Sequence, residues 1–187
     1  MQYIAAGNIM VDRVLFPDGS KNRDQLGGPA AFAYAGMRLF CDEVKLVSNV
    51  GRDFHKYFGP WAERNAVDLG GVKVLAEFCN HSHLLYHEDG TYSNVNSQGN
   101  REDEEDFGQY METIGYLKTR AEEIEIRCSA GDVKGLCMAQ NHDEVFWDKL
   151  GAIKKRDVFK MIWEIEGPSA RNKHLNKVQY ALQYVDI

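Results

Sequence analysis

The chain has 187 residues and a formal net charge of −6, from 22 basic and 28 acidic side chains. Hydrophobic residues make up 44% of it, enough for the core of one or two small domains, so intrinsic disorder of the whole chain is excluded. The acidic balance argues against broad nucleic-acid binding, which needs a basic surface, and no apolar run is long enough to cross a membrane.

The amino-terminus and the cysteines indicate the cellular compartment. The first seven residues lack the basic and apolar regions of a signal peptide. The four cysteines are far apart and have no CxxC spacing: Cys41, Cys79, Cys128 and Cys137. We therefore predict free thiols in a reducing cytoplasm.

The first part of the chain alternates strands with helices. Short apolar runs predict strands over residues 3–6 and 44–50. A helix is expected from Pro29 to about residue 40, and another after Asp53, with its apolar side formed by Phe54, Phe58, Trp61 and Ala62. This order is typical of a parallel sheet with right-handed crossovers.

From residue 72 onward, strands are predicted to follow each other without helices. Residues 72–78 and 83–88 have strand patterns, and Asp89-Gly90 after them is a hairpin signal. Residues 13–26 have the pattern of a further hairpin-like excursion. Together they predict a small antiparallel sheet beside the main one.

The second half begins with an acidic run at residues 101–106, for which we predict a solvated loop. Residues 107–131 have mixed signals, a helix from Met111 to Leu117 and a strand around Ile124 and Ile126. Alternation then resumes, with strands over 133–139 and 158–165 and helices over 143–155 and 173–184. Residues 185–187 have the pattern of the start of another strand, so we expect the domain to continue beyond them.

A double glycine, Gly27-Gly28, precedes Pro29 and an alanine-rich helix. Glycines allow a tight turn, and a ligand there would meet unpaired N–H groups and the positive end of the helix dipole. The other interpretation is a plain loop-to-helix junction. Asp12 follows the first strand, where ligands of open parallel sheets collect, so it either binds ligand hydroxyl groups or caps a turn.

Four features in this order resemble the ribokinase-like carbohydrate kinases, the PfkB family. They are Gly7 with Asp12 five residues later, the stretch Gly27-Gly28-Pro29-Ala30-Ala31, Val50-Gly51-Arg52-Asp53, and the lid-like hairpin after residue 72. The resemblance covers only the amino-terminal part of such a kinase. It implies an α/β fold, a largely parallel sheet flanked by helices with a small antiparallel β lid. An incomplete α/β core would span residues 1–12, 27–71 and 132–187, the lid 13–26 and 72–98, and an acidic loop and uncertain insertion 99–131.

The resemblance also implies a function. The complete enzyme would use ATP and Mg²⁺ to transfer the γ-phosphoryl group to a hydroxyl of a sugar or a related small alcohol or nucleoside. In this chain Asp12 would orient hydroxyl groups and Gly27 and Gly28 would lie under the sugar, while Asp53 is interpreted mainly as a helix cap. The lid would close over the substrate, and it often forms a dimer in the family, so a homodimer is expected.

The chain departs from the family pattern in two ways. Phe32 stands where an asparagine is usual, and Met10 where a polar residue is common, so both substrate-binding candidates make the acceptor pocket more apolar. The run Asp-Thr-x-Gly-Ala-Gly-Asp, which supplies the catalytic base and the anion hole, is absent from the sequence. The catalytic residues are therefore expected in a carboxy-terminal half, and this chain alone is predicted to be inactive. The alternative is a non-catalytic binding or assembly protein that uses the same cleft.

The histidines allow one further interpretation. His81, His83 and His87 would share one face of a strand. His81 and His83 could bind zinc with a third ligand such as His87 or Cys79, or the histidines could form a polar face of the lid. The three tryptophans, Trp61, Trp147 and Trp163, are predicted to lie in the core.

Overall fold

A computed structural model describes residues 2–20, 24–94, 117–129, 132–139, 143–165 and 174–187. These residues form nine strands and five α-helices. The elements are β1 Gln2–Ala6, β2 Met10–Leu15, β3 Gln25–Gly27, α1 Pro29–Arg38, β4 Val44–Gly51, α2 Phe54–Arg64, β5 Val72–Ala76, β6 Asn80–Tyr86, β7 Tyr92–Asn94, α3 Ala121–Ser129, β8 Val133–Ala139, α4 Glu144–Asp157, β9 Lys160–Glu164 and α5 Leu175–Leu182.

Five strands form the main sheet, in the order β5-β4-β1-β8-β9, and every neighbouring pair is parallel. Its central strand, β1, is buried on both faces because helices cover both sides. Ile4 packs with α3, α4 and α5, whereas Ala5 packs with α1 and α2. The alternation of β1 side chains thus divides the core into two clusters, and the predicted α/β fold is confirmed.

The tryptophans lie in these clusters as predicted. Trp147 and Trp163 are buried on one side of the sheet, with their ring centroids 5.0 Å apart in an edge-on arrangement. Trp61 is partly buried against the other cluster. Such edge-on pairs add a favourable geometry to the burial of large apolar area.

The second sheet, called the lid sheet below, has the order β3-β2-β6-β7. β2 with β3 and β6 with β7 are antiparallel, which confirms the excursion before the double glycine and the Asp89-Gly90 turn. The central pair, β2 with β6, is parallel. β2 and β6 run in the same direction because each directly follows a strand of the main sheet. β2 follows β1 and β6 follows β5, and β1 and β5 are parallel to each other.

The division between core and lid differs from the predicted one at two points. β5 pairs with β4 in parallel, with Ser48 opposite Val72, so residues 72–76 belong to the main sheet and not to the lid. The reason is that α2 is the crossover leading to β5, which makes it a regular strand of the alternating pattern. β2 begins at Met10, so Asp12 lies within a lid strand rather than in a loop of the core.

The strand signal around Ile124 and Ile126 was wrong, because these residues lie in α3. The Glu123 carboxylate accepts a hydrogen bond from the Arg120 N–H at 2.9 Å, as in a capping box, and Ile124 and Cys128 are buried four residues apart on one helical face. The predicted acidic loop, the signals from Met111 to residue 116 and the predicted start of the last helix at residue 173 lie outside the described residues.

Residues 185–187 lie along β9. The Ile187 N–H donates to the Met161 carbonyl at 3.3 Å, and the Trp163 N–H donates to the Ile187 carbonyl at 3.0 Å. This is the hydrogen-bond pattern of a parallel pair, in agreement with the start of a strand predicted there.

All four cysteines are free thiols, as predicted. Burial raises the pKa of Cys79 to about 12 and that of Cys128 to about 11. Both thiols therefore stay protonated and unreactive at neutral pH. Within the described ranges, none of the helices combines the length and the apolarity that a membrane span requires.

Candidate functional site

The Asp12 carboxylate lies where the lid sheet leaves the main sheet. In β2 its neighbours across the sheet are Gln25 of β3 and Ser82 of β6. The side chain is half-buried, and burial raises its pKa above the ordinary value. Among the residues that the structure describes, no partner donates a hydrogen bond or forms an ion pair with it. An acceptor without a partner in a partly desolvated position is suited to bind the hydroxyl group of a ligand.

Gly27 is required by the position of that carboxylate. A Cβ atom on Gly27 would lie 1.8 Å from Oδ2 of Asp12. Gly28 is required by the backbone, since its φ is +91° and a Cβ there would lie 2.6 Å from the Asn8 carbonyl oxygen. The double glycine thus allows α1 to begin directly against Asp12 and the end of β1.

The unpaired N–H groups expected at the start of α1 already have acceptors. The Ala30 N–H donates to the Asn8 carbonyl at 3.2 Å, and the N–H groups of Ala31 and Phe32 donate to the Gly28 carbonyl at 3.1 and 3.3 Å. The prediction of unpaired N–H groups at the start of α1 was wrong, because the turn brings nearby carbonyl groups to these amides. The first turn of α1 is therefore a poor place for a phosphate group, whose binding needs free donors.

The remaining two substrate-binding candidates, Met10 and Phe32, lie on either side of the double glycine. Met10 is half-buried, pairs with Gly27 and Asn80, and lies on the same face of the lid sheet as Asp12. Phe32 lies in the first turn of α1, and 63% of its surface is exposed. The structure thus brings Met10, Asp12 and Gly27 onto one face, with Phe32 one helical turn away from the double glycine.

A cluster around Asp53 joins the main sheet to the lid sheet. Asp53 precedes α2, but its side chain makes no capping hydrogen bond. One of its oxygens accepts the Cys79 N–H at 2.7 Å, and the other lies 3.1 Å from Nε2 of His81. The interpretation of Asp53 as a helix cap was therefore wrong, since the carboxylate binds the segment that enters β6. Burial acts to raise the pKa of Asp53, but the hydrogen bonds from Cys79 and His81 outweigh it and hold the pKa below its ordinary value.

The other histidines have different surroundings. Nε2 of His87 lies 2.9 Å from the Ser93 hydroxyl, within the hairpin of β6 and β7. Groups of three or more metal-ligating side chains do not occur among the residues with a described placement. The even spacing of the histidines gave no sign of these separate hydrogen bonds, because their partners are distant in sequence or lie beyond a turn.

A buried polar network fixes the segment before α3 to the same end of the main sheet. The Asn49 amide donates to the Lys118 carbonyl at 2.8 Å and to the Glu123 carboxylate at 3.1 Å. The Thr119 hydroxyl donates to the Gly7 carbonyl at 3.3 Å. Gly7 directly follows β1 and Asn49 lies two residues before the end of β4, so this network fixes the segment before α3 to the carboxyl ends of two neighbouring strands.

Removal of the Asp53 carboxylate is expected to loosen the lid sheet. Asp53→Ala leaves the buried Cys79 N–H without an acceptor, and we expect a loss of about 1–3 kcal/mol in the free energy of unfolding, measured in urea at pH 7. Because the folded pKa lies below the ordinary value of 3.8, the stabilisation by the charged group is present at neutral pH and is lost as the pH falls through the folded pKa. Asp53→Asn, which keeps an acceptor for Cys79, should lose less, and equal losses in both variants would contradict the assignment.

Comparison with known proteins agrees with this architecture. No family model matches the sequence. Over 93 residues the chain is 31% identical to a cytidine kinase from Thermococcus kodakarensis, a match covering 49% of this chain and 32% of that protein. A ribokinase from Giardia lamblia superposes with a TM-score of 0.73 at 12% identity, covering 99% of this chain and 55% of that one. The chain has the ribokinase-like fold.

A nucleoside kinase from Burkholderia thailandensis, solved in complex with inosine, has this fold too. Its TM-score is 0.65 at 10% identity, and the match covers 99% of this chain and 57% of that chain. The ribokinase-like chain described here thus spans little more than half the length of these solved structures. The predicted resemblance to the amino-terminal part of such kinases is confirmed at the level of the fold, and the relatives are kinases of sugars or nucleosides.

Proposed function

We propose that the chain forms the acceptor-binding part of an ATP-dependent kinase that transfers the γ-phosphoryl group to a hydroxyl of a sugar or nucleoside. The observation that carries the proposal is the half-buried Asp12 carboxylate, positioned against Gly27 and without a partner among the described residues. The ribokinase-like fold and the similarity to a cytidine kinase support it.

In this function Asp12 accepts hydrogen bonds from the hydroxyl groups of the acceptor. The half-buried position makes these bonds stronger than they would be in water, because the local dielectric constant is lower. Gly27 and Gly28 leave the backbone bare beside the acceptor, and Met10 and Phe32 border it with apolar surface. The chain therefore selects and orients the group that is to be phosphorylated.

ATP and Mg²⁺ are proposed for the complete enzyme, where Mg²⁺ neutralises the charge on the transferred phosphoryl group. The first-turn amides of α1, which a phosphate near Asp12 would need, already donate within the chain. We therefore place no nucleotide at Gly27-Gly28, and we propose that the donor site is formed by other residues of the complete enzyme. Cytoplasmic location and a homodimer through the lid sheet remain predictions.

A thermal-shift panel of sugars and nucleosides tests the proposal. We expect at least one of them to raise the melting temperature of the chain, because a ligand that binds only the folded state stabilises it. Gly27→Ala should abolish this shift, since the new methyl group takes the place of the Asp12 carboxylate, which must rotate away. The fold should persist, because a side chain can move where a backbone cannot.

Gly36→Ala is the matched control. Gly36 lies on the exposed side of α1, and a Cβ there meets nothing within 4 Å. This variant should keep the shift and gain up to about 1 kcal/mol in stability from helix propensity. If no compound in the panel raises the melting temperature, or if the rise is unchanged in Gly27→Ala, the proposed site is wrong.

A further inference from the structure

The geometry points to an acceptor that carries a flat aromatic base, as a nucleoside does, with the base lying on the lid sheet over Val14 and Leu84 and its far edge at the ring of Tyr86. This inference rests on the proposed function and narrows the class of substrate. It follows from the order in which polar, aliphatic and aromatic side chains lie along one face of the lid sheet.

The strand register defines that face. Asp12 lies beside Ser82, and two residues further along the same two strands Val14 lies beside Leu84. Leu15 and Leu85 are the last pair, so Phe16 comes next to Tyr86, and their ring centroids are 6.1 Å apart. Alternate residues of a strand share a face, so these side chains continue the face of Asp12.

Distances along this face suit a nucleoside. With a rise of about 3.3 Å per residue, Val14 and Leu84 lie about 7 Å from Asp12 along the strands, and Phe16 and Tyr86 about 13 Å. A nucleoside whose hydroxyl groups bind Asp12 would extend its base over Val14 and Leu84, with the far edge of the base towards Tyr86. A plain sugar would end at Asp12 and Ser82 and leave the apolar surface uncovered.

The three aromatic rings form an open cluster. Tyr92 pairs with Tyr86 across the hairpin, with centroids 5.9 Å apart and the ring planes tilted by 38°. Phe16 and Tyr92 are 37% and 60% exposed, so much of their ring surface faces solvent. Exposed aromatic rings at the far end of an apolar surface that begins at Asp12 are suited to contact a nucleobase, since every base has a face that stacks.

NMR-detected titration of the chain with cytidine, inosine and ribose tests the inference. We expect the nucleosides to bind roughly 5- to 150-fold more tightly than ribose, the range that stacking of one base provides. Saturation of the tyrosine ring protons should transfer to the base protons of cytidine. Exchange of both Phe16→Ser and Tyr86→Ser should bring nucleoside affinity down to that of ribose and leave ribose affinity unchanged.

Phe40→Ser is the control, because Phe40 is 92% exposed at the other end of α1, away from the lid sheet. It should change neither affinity. If ribose binds as tightly as the nucleosides, the inference fails and the proposed function stands; if no acceptor binds, both fail. If the double variant lowers the mass measured by light scattering and leaves nucleoside affinity unchanged, the cluster is a dimer contact and the inference is overturned.

Discussion

Asp12→Asn is expected to weaken acceptor binding by about 10- to 150-fold, because hydrogen bonds to a charged group contribute about 1.5–3 kcal/mol. The same variant should be more stable than the natural chain at pH 7. Loss of binding together with a gain in stability distinguishes a ligand-binding carboxylate from a structural one. A carboxylate that capped a turn would show the opposite effect on stability.

The pH dependence of this effect has a definite sign. Burial raises the folded pKa of Asp12 above its ordinary value of 3.8. Stability associated with the protonated form is therefore complete below the ordinary pKa and is lost as the pH rises through the folded pKa. An amide does not titrate, so the gain in Asp12→Asn should grow from pH 4 to pH 7 when urea unfolding is measured across that range.

Asp42→Asn serves as the comparison, because the Asp42 side chain is fully exposed and lies outside the site. It should leave acceptor affinity unchanged. If Asp12→Asn binds as the natural chain does, or is less stable than it at pH 7, Asp12 has no role in acceptor binding.

Gly51→Ala is expected to cause the largest loss of stability, about 2–4 kcal/mol in the free energy of unfolding. A Cβ at Gly51 would lie 2.0 Å from the Phe78 carbonyl carbon and 2.2 Å from the Cys79 nitrogen. Both are backbone atoms of the segment that enters the lid sheet, so relief requires movement of the chain and not of a side chain. The Gly51 N–H also donates to the Cys79 sulfur at 3.3 Å, and displacement would break that contact.

Gly59→Ala gives the matched control within α2. Its Cβ would be 3.9 Å from Cβ of His55, an ordinary contact, and alanine is the better helix former by about 1 kcal/mol. Urea unfolding should therefore show opposite signs for the two glycine variants. Equal stability of Gly51→Ala and the natural chain would mean that the entrance to β6 is not packed as described.

Much of the fold follows from local sequence signals. The buried strand β8 is visible in the sequence as an apolar run, which periodicity rules detect. The start of α4 is visible as a capping residue, since the Asp143 side chain accepts the Phe146 N–H at 2.9 Å. Both signals depend on residues that are close together in the sequence. Asp53 looks like a helix cap by the same rules. Its partners Cys79 and His81 lie in another element, so tertiary contacts decided its role.

The candidate site shows the same limit. The position of Asp12 after a strand and before a double glycine was sufficient to select it. Its place inside β2 depends on the pairing with β6, which no local pattern contains. Likewise, the amides of α1 looked available because the sequence does not show that the Asn8 and Gly28 carbonyl groups turn towards them.

The central position of β1 has a consequence for how the chain folds during synthesis. One edge of β1 pairs with β4, where Ala5 lies opposite Leu46, but its other edge pairs with β8, where Ala5 lies opposite Cys137. This central strand is therefore synthesised well before β8, and its second edge is paired only after most of the described residues have left the ribosome. Such distant pairing slows folding and leaves an apolar strand edge open to other nascent chains. Slower translation or a chaperone that shields β1 would favour the native sheet.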